Sequence, residues 1–128
     1  MQRIKISWPQ GQATAELRDT PSARALVEHL PVEGTASTWG DEVYFRVPFT
    51  VEREADAAEV VDKGAVCYWL DGQSLALPFG PTPVSRGDEC RLISEANVLG
   101  RIEGDAEVLR SVRGGDQITV EAIQSESP

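Results

Sequence analysis

Apolar and polar residues alternate at both ends of the chain. Ile4, Ile6 and Trp8 alternate with Arg3, Lys5 and Ser7, and Ala13, Ala15 and Leu17 alternate with Thr14, Glu16 and Arg18. A period of two belongs to a strand with one dry face, so both stretches predict half-buried strands joined by a turn at residues 9–12. The period then changes. Ala23, Leu26, Val27 and Leu30 recur on one helix face, Thr20 suits the N-cap, Pro21 suits the first helical position and Pro31 stops the run. Residues 20–30 therefore predict a helix.

Further along, residues 35–39 and 42–47 flank Gly40-Asp41 as a hairpin. Residues 49–53 read as an edge segment, and residues 55–61 as one or two helical turns closed by Lys63-Gly64. The nearly unbroken apolar run Ala65 to Leu70, followed by Asp71-Gly72 and Gln73 to Phe79, is the clearest hairpin signal. Pro81, Pro83 and Gly87 predict an irregular loop to about residue 89. Residues 94–102 predict a strand and residues 105–112 a short helix ended by Gly114-Gly115. Ile118, Val120 and Ala122 alternate in a last strand, and residues 124–128 read as a frayed tail. Strands at short intervals, about eight of them, with two short helices predict a mainly β protein. At 128 residues one domain is expected, spanning residues 1–123.

Charge narrows the partners. The net charge is -9, with the acids spread along the chain. Nucleic acid and anionic membrane both need a basic footprint, so neither is expected. No apolar stretch reaches membrane-spanning length, and the N-terminus alternates instead of forming the apolar region of a signal peptide. Cys67 and Cys90 have neither metal nor redox spacing, and Cys67 falls in the apolar run as a buried thiol. The cytoplasm is the expected compartment.

Candidate chemistry is sparse. One histidine, His29 on the first helix, cannot supply a triad or, with two distant cysteines, a zinc site. Asp41-Glu42, Asp88-Glu89, Glu103 and Asp105 read as turns and a helix start, and no phosphate loop occurs. No metal and no cofactor are expected. The aromatic residues carry more. Trp39, Tyr68 and Trp69 fall in the two hairpins, and adjacent Tyr68 and Trp69 must point to opposite faces of their strand. One is expected to line the core and the other to lie outside it.

The segment Asn97 to Val112, NVLGRIEGDAEVLRSV, resembles a cyclophilin passage in which a strand runs through Glu-Gly into a short helix. The segments at residues 38–45, 64–69 and 79–83 resemble small uncharacterised prokaryotic proteins of cyclophilin-like fold. Together these motifs span about residues 3–123. The resemblance implies a closed cyclophilin-like β-barrel. It also implies a site in which Tyr44-Phe45-Arg46-Val47 matches the strand of the catalytic arginine. Arg46 would then donate to the prolyl nitrogen, with Phe49 and Phe79 as an apolar floor. The Gln-Gly-Gly of cyclophilins is replaced by Thr50-Val51-Glu52, and the histidine position falls at Ala96.

Three functions stay open at this point. The first is a module binding a peptide or small anionic ligand in a groove beside Arg46, Phe79 and the 80–89 loop, with Phe49, Tyr68 and Trp39 as further contacts. The second is a weak peptidyl-prolyl isomerase using Arg46. The third is a structural or homodimeric interaction module, with the protein a monomer or homodimer.

Overall fold

The computed structural model describes residues 2–123. The tail expected at 124–128 lies outside the described residues. Both alternating ends pair as their patterns require. β1 (Arg3–Trp8) and β2 (Gly11–Leu17) form an antiparallel hairpin with Ile6 opposite Ala13. The last strand, Gln117–Ile123, takes the other side of β1, with Val120 opposite Ile6. Helix α1 (Pro21–His29) starts where expected. The Thr20 side chain accepts the Ala23 N–H at 3.2 Å, and Ala23 and Leu26 are buried.

Between these lie β3 (Val32–Thr35), β4 (Ser37–Thr38), β5 (Glu42–Arg46), β6 (Ala58–Val61), β7 (Ala65–Trp69), β8 (Ser74–Pro78) and β9 (Cys90–Ile102). A 3₁₀ helix, Ala106–Ser111, precedes β10, the Gln117–Ile123 strand. The strands form one antiparallel sheet in the order β3-β10-β1-β2-β9-β7-β8-β5-β4, with β6 also paired to β9. Its inner side and α1 enclose the main core, which includes Ile4, Leu26, Phe45, Tyr68, Leu99 and Ile118.

The protein is mainly β, but the hydrogen-bonded path is not a closed ring. Its two ends, β3 and β4, are neighbours in the chain separated by Ala36 alone. The segment changes partner at that residue, β3 pairing with β10 and β4 with β5, so no ladder bridges the gap. Ala36 itself is pinned. Its N–H donates to Asp116 O, and its carbonyl accepts from the Gly115 N–H, each at 2.8 Å.

Other expectations shift locally. The helical turns read at 55–61 are instead strand β6, because Val60 and Val61 pair with Arg91 and Cys90, and tertiary pairing overrides a weak local pattern. β9 begins at Cys90 rather than Ser94 for the same reason. Residues 49–53 form no strand. Their neighbourhood is held by buried Asn97, whose Nδ2 donates to Ser22 Oγ (2.9 Å) and Glu52 O (2.8 Å) and whose Oδ1 accepts the Glu54 N–H (2.9 Å). Gly100, in the family-like motif, sits where β9 pairs with β2, opposite Leu17, and a Cβ there would lie 2.1 Å from Glu16 O. That close approach requires glycine.

Candidate functional site

β5 alternates as a strand should. Val43 and Phe45 point into the core, while Glu42, Tyr44 and Arg46 point to the outer face. On β7 the same alternation buries Tyr68, whose hydroxyl donates to Phe49 O at 2.9 Å, and turns Trp69 outward. The outer face is not simply solvated. Leu92 of β9 packs there with Ala65, Cys67, Ala76 and Ala96 to form a second, smaller core.

At the edge of this second core is a cavity of about 330 Å³ lined by Trp39, Glu42, Tyr44, Trp69, Leu92 and Ile93. Tyr44 and Trp69 meet nearly at right angles, 78° with centroids 6.0 Å apart, and make a corner of two aromatic walls. The Trp69 indole N–H donates to Ser94 Oγ at 2.7 Å, which fixes the ring. The neighbouring hairpin loop makes room for it, since a Cβ on Gly72 would stand 2.0 Å from the ring. Residues 70–73 form that loop, longer than the two-residue turn that Asp71-Gly72 suggests, and Gln73 rather than Gly72 takes the positive φ, +47°. Gly72 is needed for its missing side chain, not for its φ. Ile93 is 55% exposed at the rim.

Glu42 is the unusual member. It is 5% exposed, and its Oε1 is buried without a hydrogen-bond partner. Burial pushes its pKa up to about 7. The arginines on neighbouring elements are committed elsewhere: Arg110 to Asp41 (3.0 Å) and Glu107 (2.8 Å), and Arg91 to Glu89 and Glu59. Behind this face the Cys67 thiol is pushed up by burial, then by Glu42 and by Cys90.

The residues marked from sequence are distributed over several places. Arg46 is exposed and meets only Gln73 Oε1, at 3.4 Å, in a shallow depression shared with Glu33 and Pro48. It forms no ion pair among the described residues. Phe79 is buried beneath the Arg110 guanidinium, 5.0 Å from the ring centroid. Arg46 pairs with Ser74, whereas Phe79 lies one residue past Pro78, the partner of Glu42. The two are therefore separated by about five strand positions, roughly 16 Å, and face opposite sides of the sheet. The 80–89 loop lies against the 40–41 turn, Asp41 N–H donating to Pro81 O at 2.9 Å, and so is not at the Arg46 end. Phe49 is buried between Tyr68 (5.7 Å) and the exposed His29 ring (4.6 Å). Trp39 alone of that set reaches the outer cavity. From sequence Glu42 is legible only as a turn residue, since nothing in the alternation announces that the fold buries it beside Leu92 and Ile93 in one cavity lining.

The larger cavity between β2, β6 and β9, about 740 Å³, is lined by charges of both signs that include the Arg18–Asp56 ion pair at 3.0 Å. It presents no unmet chemical need.

Fold and site together define a small β domain with an aromatic cavity on its outer face. The chain belongs to the cyclophilin-like family, whose model matches residues 2–121. It is similar to a hypothetical protein of Archaeoglobus fulgidus in a solution structure, at 36% identity and a TM-score of 0.79, covering 94% of this chain and 93% of that one. McbB, solved in complex with tryptophan, shares the fold at 15% identity and a TM-score of 0.67, and this chain spans 46% of its length. No curated protein matches the chain.

Proposed function

We propose that this protein is a small-molecule-binding module whose ligand occupies the outer cavity at Trp39, Glu42, Tyr44 and Trp69. The observation that carries this reading is Glu42, a lining residue of a mostly apolar cavity whose buried Oε1 has no hydrogen-bond partner. Buried polar atoms in folded proteins are nearly always paired, and leaving one unpaired costs about 1–3 kcal/mol. A ligand that supplies the partner recovers that cost on binding. Concave, mostly apolar cavities with one placed polar group are the common form of such sites.

The alternatives draw less support. Isomerisation through Arg46 needs an apolar floor beside the guanidinium, and the strand register separates Phe79 from it. An anion at Arg46 would sit in an open depression beside Glu33.

Two of the three tryptophans, Trp39 and Trp69, line the cavity, so a ligand there alters intrinsic fluorescence. A fluorescence and thermal-shift screen of small molecules is expected to yield ligands whose effect is lost in Trp39→Ala. Ligands that act equally on that variant, or that need Arg46 instead, would overturn the assignment.

A further inference from the structure

We infer that the outer cavity takes an organic cation, a primary or secondary ammonium carried on a small apolar body. This rests on the reading of the cavity as a ligand site and adds the charge and donor chemistry of its ligand. Of the six lining side chains, three are aromatic, two are aliphatic and one is an acid; none is basic. Aromatic faces attract cations, most strongly where water is excluded. One of the lining residues, Glu42, holds an acceptor in reserve, its Oε1 being buried and unused. An ammonium N–H answers both features at once, donating to the carboxylate while its charge meets the rings. An anion would face the carboxylate with no basic lining residue to balance it. A neutral donor would leave Glu42 protonated, a weaker acceptor than the carboxylate, and would bring no charge to the rings. A quaternary ammonium would satisfy the rings but has no proton to give Oε1. The volume, about 330 Å³, is at the small end of ligand cavities, which suits one ring or a short aliphatic body.

Proton linkage follows. Glu42 must be ionised to hold the cation, and burial keeps much of it protonated at neutral pH. The titratable groups around it are Tyr44 on its own strand, Cys67 on β7 and Cys90 at the start of β9 behind Cys67. Asp41 is adjacent but paired with Arg110, and Glu59 on β6 and Glu89 just before β9 both pair with Arg91 of β9. Both thiols are pushed upward by burial, away from this range. Affinity for a cation therefore rises about tenfold per pH unit below about 7 and levels off above it.

The test titrates the protein with benzylammonium, benzyl alcohol, benzoate and benzyltrimethylammonium. Tryptophan fluorescence and amide chemical shifts are read at pH 8 and pH 5.5. Benzylammonium is expected to bind at pH 8 at least tenfold more tightly than the alcohol or the quaternary ion, and benzoate not at all. Its affinity should fall at least tenfold at pH 5.5 in the unmodified protein, and at least tenfold in Glu42→Gln at pH 8. Equal or tighter binding of the alcohol at the same residues, indifferent to pH and to Glu42→Gln, overturns the cation while leaving the cavity as a ligand site. Absence of saturable binding by all four probes at millimolar concentration, or shifts centred on other residues, overturns both.

Discussion

Replacing Glu42 by Gln should remove a pH dependence from the stability of the fold. Burial raises this carboxyl from 4.5 to about 7. Between those values the unfolded chain has given up the proton and the folded chain still holds it. The folded state then binds more protons, so stability falls as pH rises through this window and is level above it. At about 1.4 kcal/mol per pKa unit the loss is about 3 kcal/mol. Because Glu42 is 5% exposed, solvent screening reduces this little. For a domain of this size the change corresponds to a fall in Tm of about 10 °C.

Glu89, Glu95, Glu103 and Glu107 are held low by Arg or Lys partners and act in the opposite sense, but only as pH falls below the ordinary carboxylate range. They leave the window from pH 5 to pH 7 to Glu42 (roughly the span of its displacement). Urea unfolding at half-unit pH steps reads the effect. Glu42→Gln should give a nearly flat profile across the window, close to the parent at pH 5, where both side chains are neutral and unpaired, and more stable than it at pH 8, where the parent's buried carboxyl is charged. Glu52→Gln, an exposed acid, should keep the parental slope. A flat parental profile, or a slope retained in Glu42→Gln, would refute the claim that this carboxyl is buried and unpartnered.

Three further outcomes are expected. Gly72→Ala should cost about 1–3 kcal/mol by overpacking against Trp69 and should change the near-ultraviolet dichroism of that ring; an unchanged spectrum would contradict the contact. Asn97→Ala should cost more than about 2 kcal/mol in urea unfolding, because it strands the Glu54 N–H and the Glu52 carbonyl where β9 meets the 49–57 segment, and a loss under 0.5 kcal/mol would contradict that role. Arg46→Ala should alter stability by less than about 0.5 kcal/mol, and a proline-isomerisation assay should give the uncatalysed rate with either protein. Acceleration that depends on Arg46 would move the functional centre to the other end of β5.

Period and punctuation made much of the fold legible. The alternation at residues 3–8 and 13–17, the Thr20-Pro21 start of α1 and the apolar run into Asp71-Gly72 each report a local preference that tertiary structure reinforces. Tyr68 and Trp69 diverge as adjacent strand residues must. What stayed hidden depends on partners distant in sequence. β6 reads as helix until β9 pairs with it. Glu42 reads as a turn acid because its burial comes from the assembled fold, where it shares a cavity lining with Leu92 and Ile93 of β9, remote in sequence. The motif around Arg46 carried a family signal without its groove, since the pattern fixes a strand but not what faces its exposed side. Trp39 stands out in the sequence as an aromatic in a hairpin, yet its meeting with Tyr44 and Trp69 follows from its N–H bond to Glu42 O and from register across β5, β8 and β7.

The partner exchange at Ala36 has a mechanical side. In an open sheet the two outermost strands fray independently. Here the outermost strands are one piece of backbone, riveted at its midpoint to residues 115 and 116. Peeling β3 from β10 drags on β4, and lifting β4 from β5 drags on β3. The ribbon has two rims in its hydrogen bonding but a single rim in its covalent chain. Its edges must then loosen together, and the amides of β3 and β4 should exchange with solvent as one cooperative unit.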